Sequence, residues 1–164
     1  MEVIIRQATK EDEAFLWEML YEAIYVPDGE DKFDKSLLKT SKLANYVENW
    51  GRDGDYGLIA LNEQNQKIGA VWIRLFNELT RTYGYVDEQT PILSMALLPE
   101  YRGIGIGTKL MKEIIALAKE KQFPAISLSV APENSALSLY EKFGFIKIGI
   151  DGTSWDMIAK LEPK

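Results

Sequence analysis

The spacing of apolar residues predicts two helices in the first third of the chain. After Thr9, the segment TKED forms a capping box with aspartate at its third position, and apolar residues then recur at helical spacing up to Ile24. An opening strand, VIIRQA, precedes this helix. Asp34 provides the cap for a second helix, which reaches about Trp50 and ends at Gly51.

Strand patterns dominate the middle of the chain. YGLIALN and KIGAVWIRLF flank the polar segment EQNQ and predict a β-hairpin. TPILSMALL is apolar at nearly every position, as expected of a strand in the centre of a sheet. Farther on, AISLSV alternates Ser127 and Ser129 with apolar residues, which indicates another strand.

The C-terminal part adds two helices and a second hairpin. TKLMKEIIALAKEK places its apolar residues on one helical face, and ENSALSLYEKFGF predicts a short helix that ends at Gly144. KIGI, a DG turn and TSWDMIAKL predict the hairpin, in which Trp155, Met157, Ala159 and Leu161 share one face.

The predicted order of elements is β-α-α-β-β-β-α-β-α-β-β, with one βαβ crossover among mostly antiparallel neighbours. We therefore predict an α/β protein whose mixed sheet is of the α+β type, mostly antiparallel and covered by helices on both faces. The length of 164 residues favours a single domain over 1–164.

The amino-acid composition excludes several kinds of catalytic site, and it constrains the reaction more than it constrains the fold. The chain has no cysteine and no histidine, which excludes a Ser-His-Asp triad, a cysteine nucleophile, a Cys/His zinc site and an imidazole base. Proton transfer is left to Asp, Glu, Tyr, Lys or water. The formal net charge of -6 disfavours nucleic acid as a partner and mildly favours cationic substrates.

The sequence also bears on location. No run approaches the roughly 18 apolar residues of a membrane span. The start, MEVIIRQATKEDE, lacks the basic and apolar regions of a signal peptide. We expect a cytoplasmic protein with no membrane partner, and the absence of cysteine suits that compartment.

The segment PEYRGIGIGTKL carries the most specific signal. Gly103, Gly105 and Gly107 alternate between an apolar strand and a helix, which is the arrangement of a phosphate-binding loop. A nucleotide-hydrolase loop needs Gly-Lys-Ser/Thr, and a dinucleotide-binding loop needs a third glycine where Thr108 stands, so neither fits. Amides from about Gly103 to Thr108 remain suited to hold a pyrophosphate, helped by the helix dipole.

Two motifs together resemble the GNAT superfamily, the acyl-CoA-dependent N-acyltransferases. The family signature, Arg/Gln-x-x-Gly-x-Gly/Ala, follows the fourth strand, and this chain reads RGIGIG at 102–107. A second family segment runs from Asn134 to Phe145. The resemblance implies a GNAT-like acyl-CoA N-acyltransferase fold, in which one parallel strand pair splays apart. It also implies acetyl-CoA as co-substrate and no metal.

The resemblance assigns contacts to acetyl-CoA residue by residue. The pantetheine arm would pair with the strand at Met95, Ala96 and Leu97, like an added strand. The other implied contacts are Arg102, Gly103, Ile104, Gly105, Ile106, Gly107, Thr108, Asn134 and Tyr140. Asn134 is equally suited to cap the following helix.

Catalytic roles also follow from the resemblance. The Leu97 N–H is the expected donor to the thioester carbonyl and to the oxyanion that forms on it. Tyr140 is the expected general acid for the CoA thiolate, with packing as the alternative. This mechanism transfers the acetyl group directly, because an acyl-cysteine intermediate is excluded.

The general base stays open. Family members that acetylate ribosomal-protein N-termini carry a glutamate where this chain has Ser129, and histone-type members carry one near Pro91 and Ile92. Both departures put a protein-tail substrate in doubt. Tentative bases are Glu22 or Asp87, with Glu88 beside the latter.

A small-molecule primary amine is the expected acceptor. The family's acceptor region holds aromatic rings and carboxylates here, which suit a cation. They are Tyr21, Tyr25, Trp72, Tyr83, Tyr85 and Trp155 with Glu22, Asp28, Glu30, Asp31 and Asp87. The aromatic residues fit core or homodimer contacts equally well. Two further functions stay open: a protein N-acetyltransferase, and a non-catalytic acyl-CoA-binding sensor or interaction module.

Overall fold

The computed structural model describes residues 2–24, 26, 29–40 and 42–161. Its α-helices are α1 Glu13–Ala23, α2 Ile106–Glu120 and α3 Ala136–Lys142. Its strands are β1 Ile4–Gln7, β2 Tyr56–Leu61, β3 Lys67–Arg74, β4 Ile92–Leu97, β5 Ala125–Val130, β6 Ile146–Asp151 and β7 Ser154–Lys160. Short 3-10 helices occupy Lys10–Asp12, Lys35–Thr40, Lys42–Tyr46 and Pro99–Tyr101.

The described strands form one seven-stranded sheet in the order β1-β2-β3-β4-β5-β7-β6. All neighbours pair antiparallel except β4 and β5, which run parallel and are connected through α2. β4 and β5 share a single residue pair, Ile92 with Ser127. The predicted fold class is confirmed: a mixed, mostly antiparallel sheet with one parallel pair.

Helices cover both faces of the sheet because its strands alternate apolar residues between two cores. Val71 contributes to a core shared with α2 and α3, and the next residue, Trp72, contributes to a core shared with α1. We call these two sides the α2 face and the α1 face. No helix in the described ranges is long and apolar enough to cross a membrane.

The start of the first helix agrees with its sequence signal. Thr9 accepts a hydrogen bond from the Glu11 N–H, and the Asp12 carboxylate accepts one from the Thr9 N–H at 2.8 Å, as a capping box requires. The first turn is 3-10, and α1 follows from Glu13. Asp12 also accepts from Arg6 and Lys67, which fixes the helix start on the sheet.

The predicted second helix is wrong as a continuous α-helix. Two 3-10 helices, Lys35–Thr40 and Lys42–Tyr46, take its place. Asp34 does cap the first, because its carboxylate accepts from the Ser36 N–H at 3.0 Å. The Thr40 hydroxyl donates to the Leu37 carbonyl, and such local bonds compete with α-helical pairing.

Two boundaries also differ from prediction. Helix α2 begins at Ile106, earlier than the predicted TKL, because Gly105 takes the left-handed conformation at its N-cap and Ile106 is buried in the α2-face core. The last hairpin turns at Gly152 and Thr153 rather than at the DG pair, since Asp151 still pairs with Ser154. Gly152 supplies the positive φ, 64°, that a two-residue turn needs.

A buried ion pair holds the segment between the 3-10 helices and β2. Arg74, on β3, donates to both carboxylate oxygens of Asp55 at 3.0 and 2.9 Å. Its other nitrogen donates to the carbonyls of Asn45 and Glu48. Because both side chains are almost fully buried, each depends on the other for charge compensation.

Candidate active site

The sheet opens between β4 and β5. The Ser127 N–H donates to the Pro91 carbonyl at 3.0 Å, which closes the start of the strand pair. After Ile92 and Ser127 the strands share no further residue pair, although β4 continues to Leu97 and β5 to Val130. A gap therefore widens toward the C-terminal ends of both strands.

One side of β4 faces this gap, and beyond Ile92 no strand in the described part of the chain pairs with it. On the opposite side, the Leu98 N–H donates to the Ile68 carbonyl on β3 at 2.9 Å. Because successive residues of a strand point their backbone groups to opposite sides, the N–H groups of Met95 and Leu97 point into the gap. This geometry provides the backbone that an added-strand contact needs. The roles of Met95, Ala96 and Leu97 in binding stay predictions.

The glycine loop lies directly beyond the end of β4. Gly103 and Gly105 have φ values of 76° and 93°, in the left-handed region that favours glycine. A Cβ added at either position would meet no described atom within 4 Å, so space is open above the backbone. Since Gly105 is the N-cap of α2, Ile106, Gly107 and Thr108 form the first helical turn rather than a loop.

This arrangement suits an anionic group. The first amides of a helix lack intrahelical partners, and the helix dipole makes its N-terminus attractive to negative charge. Ile104 lies between the two left-handed glycines and its side chain is exposed. An open glycine backbone followed by free helical amides is the environment that a pyrophosphate requires.

Gly107 marks the point where α2, α3 and β4 meet. A Cβ at this position would lie 3.4 Å from the Leu139 side chain, 3.6 Å from Met95 and 3.9 Å from Leu97. The glycine therefore allows α2 to approach the gap closely. The side chains of Met95 and Leu97 line the α2 face of the gap, while their backbone N–H groups point into it.

Arg102 connects the loop to β4 and to α1. Its Nε donates to the Leu97 carbonyl at 3.1 Å, and its Nη2 lies 3.1 Å from Glu22 Oε1. Burial lowers the pKa of nearby Lys32, whose ammonium donates to the Tyr21 carbonyl at 2.9 Å. Because of its contact with Arg102, Glu22, one of the tentative bases, is paired with a guanidinium at the mouth of the gap.

Tyr140 lies on α3, against the α2 face of the sheet. Its ring is buried and contacts Phe145 edge-on, with centroids 5.9 Å apart. Burial raises the pKa of Tyr140 to about 12, so the hydroxyl keeps its proton at neutral pH. The Asn134 carboxamide oxygen accepts from the Ala136 N–H, the first amide of α3, at 2.9 Å, although the N-cap residue of that helix is Ser135. The acid role of Tyr140 stays a prediction.

The other tentative base and several of the proposed acceptor residues make structural contacts of their own. Asp87 is exposed and accepts from the Gln89 N–H at 2.9 Å. Trp72 is fully buried and donates to the Tyr46 carbonyl, so its placement in an acceptor wall is wrong. Trp155 packs on the α2-face core.

Some acceptor candidates remain near the α1 side. The Tyr21 hydroxyl donates to the Phe33 carbonyl, and the ammonium of Lys32 lies 4.6 Å from its ring centroid. Tyr83 is exposed, and Tyr85 packs at the edge of the α1-face core. Glu30 and Asp31 are exposed. Tyr25 and Asp28 fall outside the described residues.

Sequence reasoning missed one polar feature of the α1 face. Ser127 and Asp156 lie on neighbouring strands, and the Ser127 Oγ and Asp156 Oδ1 atoms are buried without a hydrogen-bond partner in the described ranges. The signal was present in the alternation of Ser127 and Ser129 in AISLSV, and in the placement of Asp156 between Trp155 and Met157. The pairing of the two segments is not visible in the sequence.

Comparison with known proteins gives a consistent result. Residues 16–145 match the family described as Acetyltransferase (GNAT) family. A ribosomal protein bS18-alanine N-acetyltransferase from Haemophilus influenzae is 42% identical over 65 residues, which are 40% of this chain and 44% of that protein. N-alpha-acetyltransferase 50 from Danio rerio is 30% identical over 128 residues, 77% of this chain and 64% of that protein.

A solved structure supports the same fold. The PaiA N-acetyltransferase from Thermoplasma acidophilum, in complex with coenzyme A, superimposes with a TM-score of 0.70 at 24% identity, covering 98% of this chain and 99% of that chain. The two curated relatives are matched over only 44% and 64% of their own lengths.

Proposed function

The chain belongs to the GNAT family of acetyltransferases, and from this premise we propose that it transfers the acetyl group of acetyl-CoA to a primary amine. The whole of 1–164 would act as one N-acetyltransferase domain. The observation that carries the proposal is the gap between β4 and β5, which opens beside the glycine loop at the start of α2. An extended arm and a pyrophosphate fit this combination.

Acetyl-CoA fits the residues present. Its pyrophosphate would lie against the backbone from Arg102 to Thr108, where the glycines leave open space. Its pantetheine arm would pair with the free backbone of β4 at Met95 and Leu97. A phosphate contact by Arg102 would add to, or replace, the bonds that its Nε makes to the Leu97 carbonyl and its Nη2 to Glu22.

Acetyl-CoA supplies the activated acyl group, and the chain supplies charge stabilisation and protons. The Leu97 N–H, which points into the gap, would donate to the thioester oxygen as negative charge develops there. Tyr140 approaches from the α2 face and is protonated at neutral pH, as a general acid for the thiolate must be.

A small-molecule amine is the acceptor class we favour. The net charge of -6 and the exposed carboxylates Glu30 and Asp31 favour a cationic acceptor over an anionic one. The acceptor would reach the gap from the α1 face, the side opposite α2 and α3.

A protein N-terminus is the second candidate. It is favoured by the relatives named for N-terminal acetylation, the bS18-alanine enzyme from Haemophilus influenzae and N-alpha-acetyltransferase 50 from Danio rerio. Both acceptor classes present a primary amine, so the chemistry within the gap is the same for each.

Release of the CoA thiol tests the function and separates these candidates. Acetyl-CoA would be incubated with spermidine, glucosamine, or a peptide that begins with alanine, and acetylated products would be identified by mass spectrometry. Turnover of the polyamine or amino sugar supports the first candidate, and turnover of the peptide supports the second. Binding of acetyl-CoA without turnover of any amine supports a non-catalytic binding module instead.

A further inference from the structure

A polar row crosses β5 and β7 on the α1 face. Ser129 pairs directly with Asp156, and Ser127 pairs with Ile158. Their sequence neighbours Leu128 and Met157 belong to the core of the α2 face, so Ser127, Ser129 and Asp156 point to the opposite side. We call these three residues the polar row.

The polar row lies where the gap opens. Ser127 is the residue of β5 that pairs with Ile92 on β4. Continuing this register by two residues brings Ser129 level with Ser94, the first position on the same face beyond the last pair. Asp156 is the cross-strand neighbour of Ser129, and such neighbours place their Cβ atoms about 4.5–5.5 Å apart. Its carboxylate is therefore close to the entrance from the α1 face.

Two members of the polar row have buried oxygen atoms without a hydrogen-bond partner in the described residues. Ser127 is 0% exposed, yet its hydroxyl makes no hydrogen bond among the described residues. The Oδ1 atom of Asp156 is likewise buried and unpaired in this part of the chain. Buried polar atoms without partners are costly and rare in folded proteins, so they indicate a ligand or a functional group that completes them.

The surroundings of Asp156 contain no cation that neutralises it within the described residues. Burial raises the pKa of its carboxyl, and the charge of Asp151 on β6 acts in the same direction. The hydroxyl of Tyr46, at the end of the 3-10 helix Lys42–Tyr46, faces Asp156 and donates to the Tyr83 carbonyl at 2.6 Å. Lys42 lies over the Tyr83 ring at 4.7 Å.

We propose that Asp156 is the general base, which takes a proton from the acceptor ammonium on the α1 face of the gap. This inference rests on the proposed acetyl transfer. Of the tentative bases, Glu22 is paired with Arg102 and Asp87 caps a turn, whereas Asp156, one strand away from the gap, has a buried oxygen without a hydrogen-bond partner in the described residues.

The proposed base on the α1 face and the proposed acid on the α2 face determine the path of the protons and electrons. An ammonium N–H bond breaks as an O–H bond forms on Asp156, and the nitrogen lone pair attacks the thioester carbon. The C–S bond then breaks as the C–N bond is completed, and the thiolate takes a proton from Tyr140 on the α2 face. The nitrogen gives its second proton to water, solvent reprotonates Tyr140, and Asp156 releases its proton to solvent.

The test compares Asp156→Asn with the parent in three measurements. Calorimetry with CoA should give the same affinity within about threefold, because Asp156 does not contact the cofactor. The kcat for the best acceptor among spermidine, glucosamine and the alanine peptide should fall by about 10²-fold or more. The parent should lose kcat/KM as pH falls and Asp156 becomes protonated, and the variant should lack this limb.

Thermal unfolding provides a readout that needs no acceptor. A carboxyl whose pKa is raised by the fold costs no stability while it is protonated, and costs stability once it ionises. The variant should therefore melt above the parent at pH 7, with the gain absent at pH 3, below the ordinary carboxyl pKa of about 3.9. An aspartate whose charge stabilised the fold would give the opposite result at pH 7.

Asp53→Asn is the matched control, because it makes the same change at an exposed carboxylate to which no catalytic or binding role is assigned. It should keep the parent's kcat and pH profile. The proposal is overturned if Asp156→Asn turns over within about threefold of the parent, or if it melts below the parent at pH 7. If the parent binds CoA but acetylates none of the three probes, acetyl transfer to these amines fails separately, and a variant that melts below the parent at pH 7 still overturns the proposal for Asp156.

Discussion

Replacing Tyr140 by phenylalanine tests the acid of the proposed mechanism. The change removes one hydroxyl and keeps the buried ring, including its edge-on contact with Phe145 at 5.9 Å. The hydroxyl makes no hydrogen bond to another described residue, so its loss should change the free energy of unfolding by no more than about 1 kcal/mol. Affinity for acetyl-CoA should stay within about threefold.

Turnover should respond far more than stability. A positioned general acid contributes about 10²–10⁴ in rate, so kcat should fall by at least about 10²-fold, which corresponds to about 2.7 kcal/mol in the barrier. The drop should appear in kcat rather than in KM, because the proton is transferred only in the transition state. Since the pKa of Tyr140 is about 12, its ionisation should cause no loss of kcat between pH 7 and 10.

Tyr56→Phe provides a closely matched control. The Tyr56 ring also contacts a phenylalanine edge-on, with centroids 5.9 Å apart, but it lies on β2 and its partner is Phe123. Both variants should be assayed by thiol release at saturating acetyl-CoA and acceptor, in single turnover so that chemistry is observed. Equal kcat values for Tyr140→Phe and the parent would refute the acid role, leaving Tyr140 as a packing residue.

Two further predictions concern stability. Arg74→Met should lower the free energy of unfolding by about 3–5 kcal/mol in urea titration, because it removes the buried guanidinium from Asp55 and leaves that carboxylate only the more distant Arg52, at 4.0 Å, as a cation; a loss below about 1 kcal/mol would contradict the importance of the pair. Arg6 and other donors hold the pKa of Asp12 well below its usual range, so the stability it contributes is present above about pH 4 and is lost as pH falls. Asp12→Asn should therefore destabilise the protein at pH 7 and weaken the dependence of its melting temperature on pH between pH 5 and pH 2. An unchanged pH dependence would contradict this assignment.

Local sequence signals predicted most of the fold correctly. The capping box at Thr9, the buried strand TPILSMALL and the glycine loop each contain their structural cause within a few residues, so periodicity and turn chemistry suffice. The parallel pair followed from the order of elements. The segment 35–46 was predicted less well, because its form depends on hydroxyl groups and on packing against the α1 face.

The features that the sequence did not reveal depend on contacts between residues that are far apart in the chain. The partner of Arg74 lies 19 residues away, in a segment without a regular pattern. The position of Asp156 beside Ser129 depends on the register of β5 with β7, across an intervening helix and hairpin. The contact of Arg102 with Glu22 joins residues 80 positions apart that no local motif relates.

Acetyl-CoA binding at the glycine loop is the central claim, and calorimetry of loop variants tests it most directly. Gly105→Val places a side chain in the open space where the pyrophosphate would lie, while Gly152→Val is the control. Both glycines have positive φ, 93° and 64°, and neither added Cβ would meet a described atom within 4 Å, so both variants carry backbone strain without a clash. Gly152 lies in the last hairpin, away from the loop.

The parent should bind acetyl-CoA, and Gly152→Val should bind it with the same affinity. Gly105→Val should bind at least about tenfold more weakly, a loss of about 1.4 kcal/mol, while circular dichroism shows it folded. Equal affinity of the two folded variants, or no binding by the parent, would contradict the assignment of this loop to acetyl-CoA.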